Sequence, residues 1–148
     1  MHQNKKLMIL FLCTGNARRS QMAEGWARAL KSDTIEPYSA GVEPHEIDPL
    51  VIKVMAEAGV DISSQRSKNV SEFRDFKFDY VITVCGNANE NCPIFPGNTK
   101  VVHVGFDDPG NLALTAKTNA EAMTHYRHIR DEIKKFVESL PEMLTTLH

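Results

Sequence analysis

A continuous apolar run at residues 7–12 leads into a polar stretch at residues 14–16, and this junction constrains the fold more than any other feature. A short run without polar residues is typical of a strand buried on both faces of a parallel sheet. After Ser20 the apolar side chains fall on one helical stripe, formed by Met22, Ala23, Trp26, Ala27 and Leu30. The sequence therefore predicts a buried strand, a loop and an amphipathic helix in that order.

Two further helices are indicated by their terminal residues. Asp48 followed by Pro49 is typical of an N-cap and first turn, and Gly59 is typical of a helix end. Thr118 and Glu121 have the spacing of a capping box. The stripe that follows this box is formed by Tyr126, Ile129, Ile133, Phe136 and Leu140. We expect a second helix after Asp48 and a long final helix.

Three other segments are strand candidates. Residues 80–84 and 100–104 are short runs rich in β-branched side chains, which favour buried strands. Residues 38–41 are a weaker candidate, because Pro37 precedes them. The alternation of strands and helices predicts an α/β fold: a single doubly wound domain over residues 1–148, with about four mostly parallel strands and helices on both faces.

Parallel sheets of this type bind ligands beyond the carboxyl ends of their strands. Cys13, Cys85 and the loop at residues 105–109 each follow a predicted strand, so we expect all three at one edge. The net charge of −2, from 17 basic and 19 acidic residues, gives no global field for nucleic acid or a membrane surface. No run of 18 apolar residues is present for a transmembrane helix. Binding of an anion must therefore be local.

The chain has three cysteines, Cys13, Cys85 and Cys92, which is an odd and sparse set for a disulfide scaffold. Their spacing fits no common zinc motif, so we expect no metal site. Cytoplasmic thiols are the better interpretation, and we expect a monomer in the cytoplasm. Cys13 itself has three interpretations: a buried packing residue, a lipid-attachment site or a nucleophile. The lipid site is disfavoured because the apolar stretch before it is short and Phe11 and Leu12 are large.

Cys13 and Arg19 form a C-x5-R loop between a buried strand and a helix, with Ser20 directly after it. Backbone N–H groups of such a loop and of the helix N-terminus converge on an anion, and a guanidinium grips two of its oxygens. The same positive field favours a thiolate, to which Ser20 would donate a hydrogen bond. This pattern favours the nucleophile over a buried packing cysteine. The predicted substrate-binding residues are Thr14, Gly15, Asn16, Ala17, Arg18 and Arg19.

The stretch CTGNARRSQMAEG at residues 13–25 resembles the loop of the low-molecular-weight protein tyrosine phosphatase superfamily. Within it, the chain is similar to the thioredoxin-coupled arsenate reductases, over essentially its whole length. Three features carry this closer resemblance. Glutamine follows the serine where phosphatases usually carry proline, Cys85 and Cys92 lie in VCGNANENCPIFPG, and GFDDP occupies residues 105–109.

The resemblance implies that arsenate, which mimics phosphate, binds in this loop and that Cys13 attacks the arsenic. Asp108 falls at the family's position for the general acid that protonates the leaving oxygen, and Asp107 is the alternative. Cys85 would then attack Cys13 and release arsenite, and Cys92 would attack Cys85 to leave a Cys85–Cys92 disulfide. Thioredoxin is the implied reductant, with glutaredoxin as the alternative. A plain low-molecular-weight tyrosine phosphatase is the alternative function, and for the arsenate reductase a weak phosphatase side activity is expected.

Some relatives bind potassium beside the loop, at positions that correspond to Asn16, Glu24 and Ser39. This chain has Arg66 and Lys68 where those relatives supply further ligands. Added cations repel a potassium ion, so we expect no cofactor and expect the Lys68 ammonium to replace the ion.

Overall fold

The computed structural model describes residues 6–85 and 99–146, with a four-stranded parallel sheet at its centre. The strand order is β2-β1-β3-β4, and each neighbouring pair is parallel. The strands are β1 Leu7–Cys13, β2 Ile35–Gly41, β3 Tyr80–Cys85 and β4 Lys100–Phe106. This arrangement confirms the predicted α/β class and places the loop with Cys13 directly after β1.

The helices are α1 Arg19–Leu30, α2 Pro49–Glu57, α3 Pro109–Ala113, α4 Asn119–Glu138 and α5 Glu142–Thr146, with a 3₁₀ helix at Val70–Phe73. The predicted caps are present. The Asp48 carboxylate accepts a hydrogen bond from the Leu50 N–H, and the Thr118 hydroxyl accepts one from the Glu121 N–H. Gly59, just beyond α2, has a positive φ of 87°, which glycine adopts without strain.

Two apolar clusters cover the two faces of the sheet. One face of β1 presents Phe11 and Cys13 to a cluster that also contains the apolar stripes of α1, α2 and α4. The opposite face presents Leu10 and Leu12 to a smaller cluster beneath the 3₁₀ helix. The alternation of β1 side chains between these clusters explains why the run at residues 7–12 is apolar throughout.

The structure differs from the sequence prediction at β2. This strand starts at Ile35, three residues before the predicted segment, and contains Pro37 in its interior. A proline is tolerated there because β2 is the edge strand of the sheet, with β1 as its neighbour, so its missing N–H leaves no gap inside the sheet. The short helices α3 and α5 and the 3₁₀ helix were not predicted, because each is too brief to show a period.

Across residues 6–85 and 99–146, every helix is too short or too polar to cross a bilayer.

Candidate active site

The loop between β1 and α1 turns its carbonyl groups away from Cys13. The carbonyls of Thr14, Gly15 and Ala17 accept hydrogen bonds from backbone N–H groups of the segment at residues 43–48. The carbonyl of Asn16 accepts one from the Gln21 amide. Because the N–H of a planar peptide points opposite to its carbonyl, the loop N–H groups face the thiol side. The loop therefore forms a cradle of N–H donors, of which the Asn16 N–H contacts Cys13 Sγ.

Cys13 lies at the floor of this cradle and is buried. Its Sγ accepts a hydrogen bond from the Asn16 N–H at 3.2 Å and lies 2.9 Å from Ser20 Oγ. The Asn16 side-chain amide donates to Ser20 Oγ at 2.8 Å, so the Ser20 hydroxyl hydrogen is left to point at the sulfur. Cys13 Sγ is therefore contacted by the Asn16 N–H and by the Ser20 hydroxyl, which the Asn16 side chain orients.

Asn16 holds the loop in an uncommon conformation. Among the described residues, Asn16 is the only non-glycine residue with a positive φ, which is 49°. Asparagine tolerates this region better than most residues. Its side-chain oxygen accepts a hydrogen bond from the Lys68 N–H at 2.8 Å, which fixes the amide so that its nitrogen faces Ser20. Asn16 is therefore a structural centre of the loop as well as a predicted substrate-binding residue.

Arg19 and Asp108 face each other across the mouth of the cradle. The Arg19 guanidinium donates to the Phe106 carbonyl at the end of β4, and its second terminal nitrogen lies 3.9 Å from Asp108 Oδ2. Asp108 lies on the cavity wall with Cys13, whereas Asp107 is exposed. Of the two aspartates, Asp108 is the one that lines the same cavity as Cys13.

Cys85 is a buried thiol at the carboxyl end of β3, next to β1. The pairing of β3 with β4 is irregular between Thr83 and Cys85. Val84 and Cys85, although consecutive, therefore both pack in the cluster that contains Cys13. An irregularity of this kind re-aims a side chain, and here it turns Cys85 to the face of the sheet that carries Cys13. Cys92 lies outside the described residues.

The potassium positions of relatives hold an internal ion pair in this chain. The buried Glu24 carboxylate accepts hydrogen bonds from the Ser39 hydroxyl and the Arg28 guanidinium. Lys68 Nζ lies 3.6 Å from Glu24 Oε1. Lys68 Nζ also donates to the Arg66 carbonyl at 2.6 Å. Carboxylate and carbonyl oxygens are the ligands that an alkali ion requires, and the ammonium engages both. The residues present do not fit a potassium ion.

Two residues of the site were not recognised in the sequence as site residues. Asp48 was predicted only as a helix cap and Tyr126 only as a core residue. In the structure the Tyr126 hydroxyl donates to Asp48 Oδ2 at 2.6 Å, and Arg18 Nε donates to the same oxygen at 2.8 Å. Burial opposes ionisation of Asp48, but these hydrogen bonds outweigh it and lower the pKa of the carboxyl group. Burial and the Asp48 carboxylate raise the pKa of Tyr126 to about 12.

The cradle opens into a cavity of about 700 Å³. It is lined by Cys13, Thr14, Gly15, Ala17, Arg18, Arg19, His45, Glu46, Asp48, Pro49, Asp108 and Asn111. A single tetrahedral oxyanion fills only part of this volume. The cavity brings together five of the six predicted substrate-binding residues, and Asn16 lies buried behind them.

Comparison with known proteins agrees with this geometry. An arsenate reductase of Halalkalibacterium halodurans is 45% identical over 139 residues, which cover 94% of this chain and 97% of the relative. A solved arsenate reductase in the phosphate-binding state superposes with a TM-score of 0.71 at 31% identity, over 90% of this chain and 95% of that one.

A thioredoxin-dependent arsenate reductase of Corynebacterium glutamicum gives a TM-score of 0.63 at 27% identity, over 93% of this chain and 63% of that chain. The family model for low molecular weight phosphotyrosine protein phosphatases matches residues 8–147. This chain therefore belongs to the low molecular weight phosphotyrosine protein phosphatase family.

Proposed function

We propose that this protein is an arsenate reductase that uses Cys13, Cys85 and Cys92 in turn and is recycled by thioredoxin. The observation that carries this proposal is the orientation of Cys85, a second buried thiol on the same sheet face as the nucleophile. Phosphoryl transfer needs no second thiol, whereas a two-electron reduction does. The arsenate reductases among its relatives support the same reaction.

The first step is a displacement at arsenic. The loop N–H groups and Arg19 hold arsenate over Cys13, whose thiolate forms a sulfur–arsenic bond. One arsenate oxygen leaves as water after Asp108 supplies its proton. Arsenic remains in its +5 state, and the product is an adduct of Cys13.

The second step transfers the electrons. The Cys85 thiolate attacks Cys13 Sγ and forms a disulfide, and the electron pair of the sulfur–arsenic bond goes to arsenic, which leaves as arsenite in its +3 state. The Cys92 thiolate then attacks Cys85 Sγ, which restores the Cys13 thiolate and leaves a Cys85–Cys92 disulfide. A dithiol reductant reduces this disulfide and is itself oxidised.

We assign that last step to thioredoxin and place the cycle in the cytoplasm. A relative of known structure is thioredoxin-dependent. The reaction consumes thiols, which are kept reduced in that compartment. The proposal involves neither nucleic acid nor a membrane, and the monomer contains every named group.

Arsenite formation with thioredoxin, thioredoxin reductase and NADPH tests this proposal. We expect sustained NADPH oxidation that matches arsenite produced, and little turnover with glutathione and glutaredoxin. The Cys13→Ser variant serves as the control and should give no arsenite with either system. Efficient turnover with glutaredoxin alone would contradict the assignment of the reductant.

A weak phosphatase activity is the second candidate function, because Cys13, Arg19 and Asp108 also suffice for phosphoryl transfer. The cavity has room for an aryl phosphate beyond the volume of the anion itself. Hydrolysis of p-nitrophenyl phosphate is the measurement. We expect slow turnover that is abolished in Cys13→Ser.

A further inference from the structure

Arg18 lies between two aspartates that have the same local structure. Asp48 caps α2 and Asp108 caps α3, each directly before a proline. In both residues Oδ1 accepts a hydrogen bond from a backbone N–H of the helix that the aspartate caps. The donor is Leu50 for Asp48 and Gly110 for Asp108. In both, Oδ2 faces the Arg18 guanidinium, at 2.8 Å from Nε for Asp48 and at 3.7 Å from a terminal nitrogen for Asp108.

The Asp48 side of this arrangement anchors the guanidinium. Arg18 Nε donates a hydrogen bond to Asp48 Oδ2. The Tyr126 hydroxyl on α4 donates to the same oxygen and so helps to hold the acceptor in place. Gly110 allows the guanidinium to approach the backbone of α3, because a Cβ at this position would lie 2.7 Å from Arg18 Cζ. The guanidinium is therefore packed directly against the first turn of α3, beside Asp108.

Asp108 Oδ2 thus lies between two guanidinium groups at similar distances. The terminal nitrogen of Arg18 is 3.7 Å away and that of Arg19 is 3.9 Å away, and neither distance is that of a hydrogen bond. A carboxylate with only Arg19 nearby would move onto it and form a charge-assisted pair. Such a pair would occupy the guanidinium that the oxyanion requires and would remove the proton donor from the leaving oxygen.

We propose that Arg18 is a positioning residue: it shares the Asp108 carboxylate with Arg19 at ion-pair distance and so keeps that carboxylate from forming a hydrogen-bonded pair with Arg19 that an incoming oxyanion would have to displace. The proposal rests on the proposed function, in which Asp108 is the general acid and Arg19 grips the substrate. It assigns to the Arg18 side chain a role separate from the contribution of its backbone to the cradle.

A double-mutant cycle with Asp108 tests this role in steady-state arsenate reduction. We expect Arg18→Gln to raise KM for arsenate about tenfold, because the released carboxylate competes for Arg19. In the Asp108→Asn background the same substitution should raise KM less than twofold, since an amide carries no charge to compete. A residue with only a structural role would not lose its effect in this way.

Arg127→Gln is the matched control. Arg127 forms a two-pronged pair with Glu57 and so ties α4 to the other end of α2, away from the loop. This substitution should leave KM unchanged at a similar thermal stability. If Arg18→Gln does not fold, Arg18→Lys replaces it, because a lysine keeps a cation near Asp48 but lacks the planar fork.

The outcomes separate the two proposals. If KM rises equally in both backgrounds, Arg18 acts independently of Asp108 and the positioning role is wrong. If Asp108→Asn alone leaves kcat unchanged, the acid of the proposed function is misassigned, which is a different failure. A KM increase that Asp108→Asn abolishes supports the role of Arg18.

Discussion

The Lys68 ammonium lies 3.6 Å from the carboxylate of Glu24, in a pocket where both side chains are largely buried. Burial lowers the pKa of Lys68, while the Glu24 charge opposes this effect and favours the ammonium. The same residue donates its backbone N–H to Asn16, which fixes the amide that faces Ser20. Lys68 therefore pairs with Glu24 through its ammonium and is connected to Cys13 through its backbone N–H and the side chains of Asn16 and Ser20.

Catalysis should not depend on potassium, because the Lys68 ammonium already engages the oxygens that the ion would need. We expect kcat/KM for arsenate to change less than twofold when sodium replaces potassium at fixed ionic strength. The control variant is Arg66→Ala, which removes an exposed cation of the same loop that pairs with Glu72 and should keep this indifference. A potassium-specific gain of several-fold in the wild type would refute the prediction.

Substitution of the general acid should slow both reactions of the site. Asp108→Asn keeps the cap of α3 but removes the proton donor, so we expect kcat to fall about 10²- to 10⁴-fold for arsenate. Asp107→Asn, on the exposed neighbour, should lose less than threefold. Steady-state rates of the two variants decide between these positions, and a larger loss for Asp107→Asn would reverse the assignment.

Much of the fold follows from local sequence signals, and the contacts between distant segments do not. The unit from Leu7 to Leu30 was predicted because its apolar period changes at Thr14 and its loop residues are polar. Tyr126 and Asp48 are 78 residues apart in sequence. Local patterns already accounted for Asp48 as a helix cap and for Tyr126 as part of an apolar stripe, so nothing in the sequence indicated that they meet. The orientation of Cys85 depends on an irregular pairing with β4, which no periodicity within β3 reveals.

Loss of both relay thiols should separate the two activities. In Cys85→Ser/Cys92→Ser the cradle and Asp108 remain, so p-nitrophenyl phosphate hydrolysis should persist at its weak wild-type level. Arsenate reduction should vanish, because no thiol is left to attack the Cys13 adduct. Loss of the phosphatase activity in a folded double variant would show that the two reactions do not share one cradle.

Tyr126 should make stability fall at alkaline pH. Its pKa is about 12 in the folded protein and about 10 in an unfolded chain. The folded state keeps the phenolic proton where the unfolded state loses it, so this contribution is complete below pH 10 and is lost as pH rises toward 12. At about 1.4 kcal/mol per pKa unit, the shift of about two units corresponds to a loss on the order of 3 kcal/mol.

Urea unfolding of Tyr126→Phe across pH 8–12 measures this effect. The difference in unfolding free energy from wild type should be largest at pH 8 and should shrink above pH 10. Asp48→Asn should reduce the alkaline loss as well, because it removes the carboxylate charge that favours the protonated phenol. A constant difference between Tyr126→Phe and wild type over the whole range would contradict the assigned pKa.

The three-cysteine relay is tested most directly by Cys92→Ser, which removes the last thiol and leaves the cradle, Cys13 and Cys85 in place. With no thiol to attack Cys85, each enzyme should reduce about one arsenate and then stop with a Cys13–Cys85 disulfide. Peptide mapping should find that bond in the stalled variant and a Cys85–Cys92 bond in oxidised wild type. Sustained thioredoxin-driven turnover by Cys92→Ser at a rate near wild type would contradict the relay.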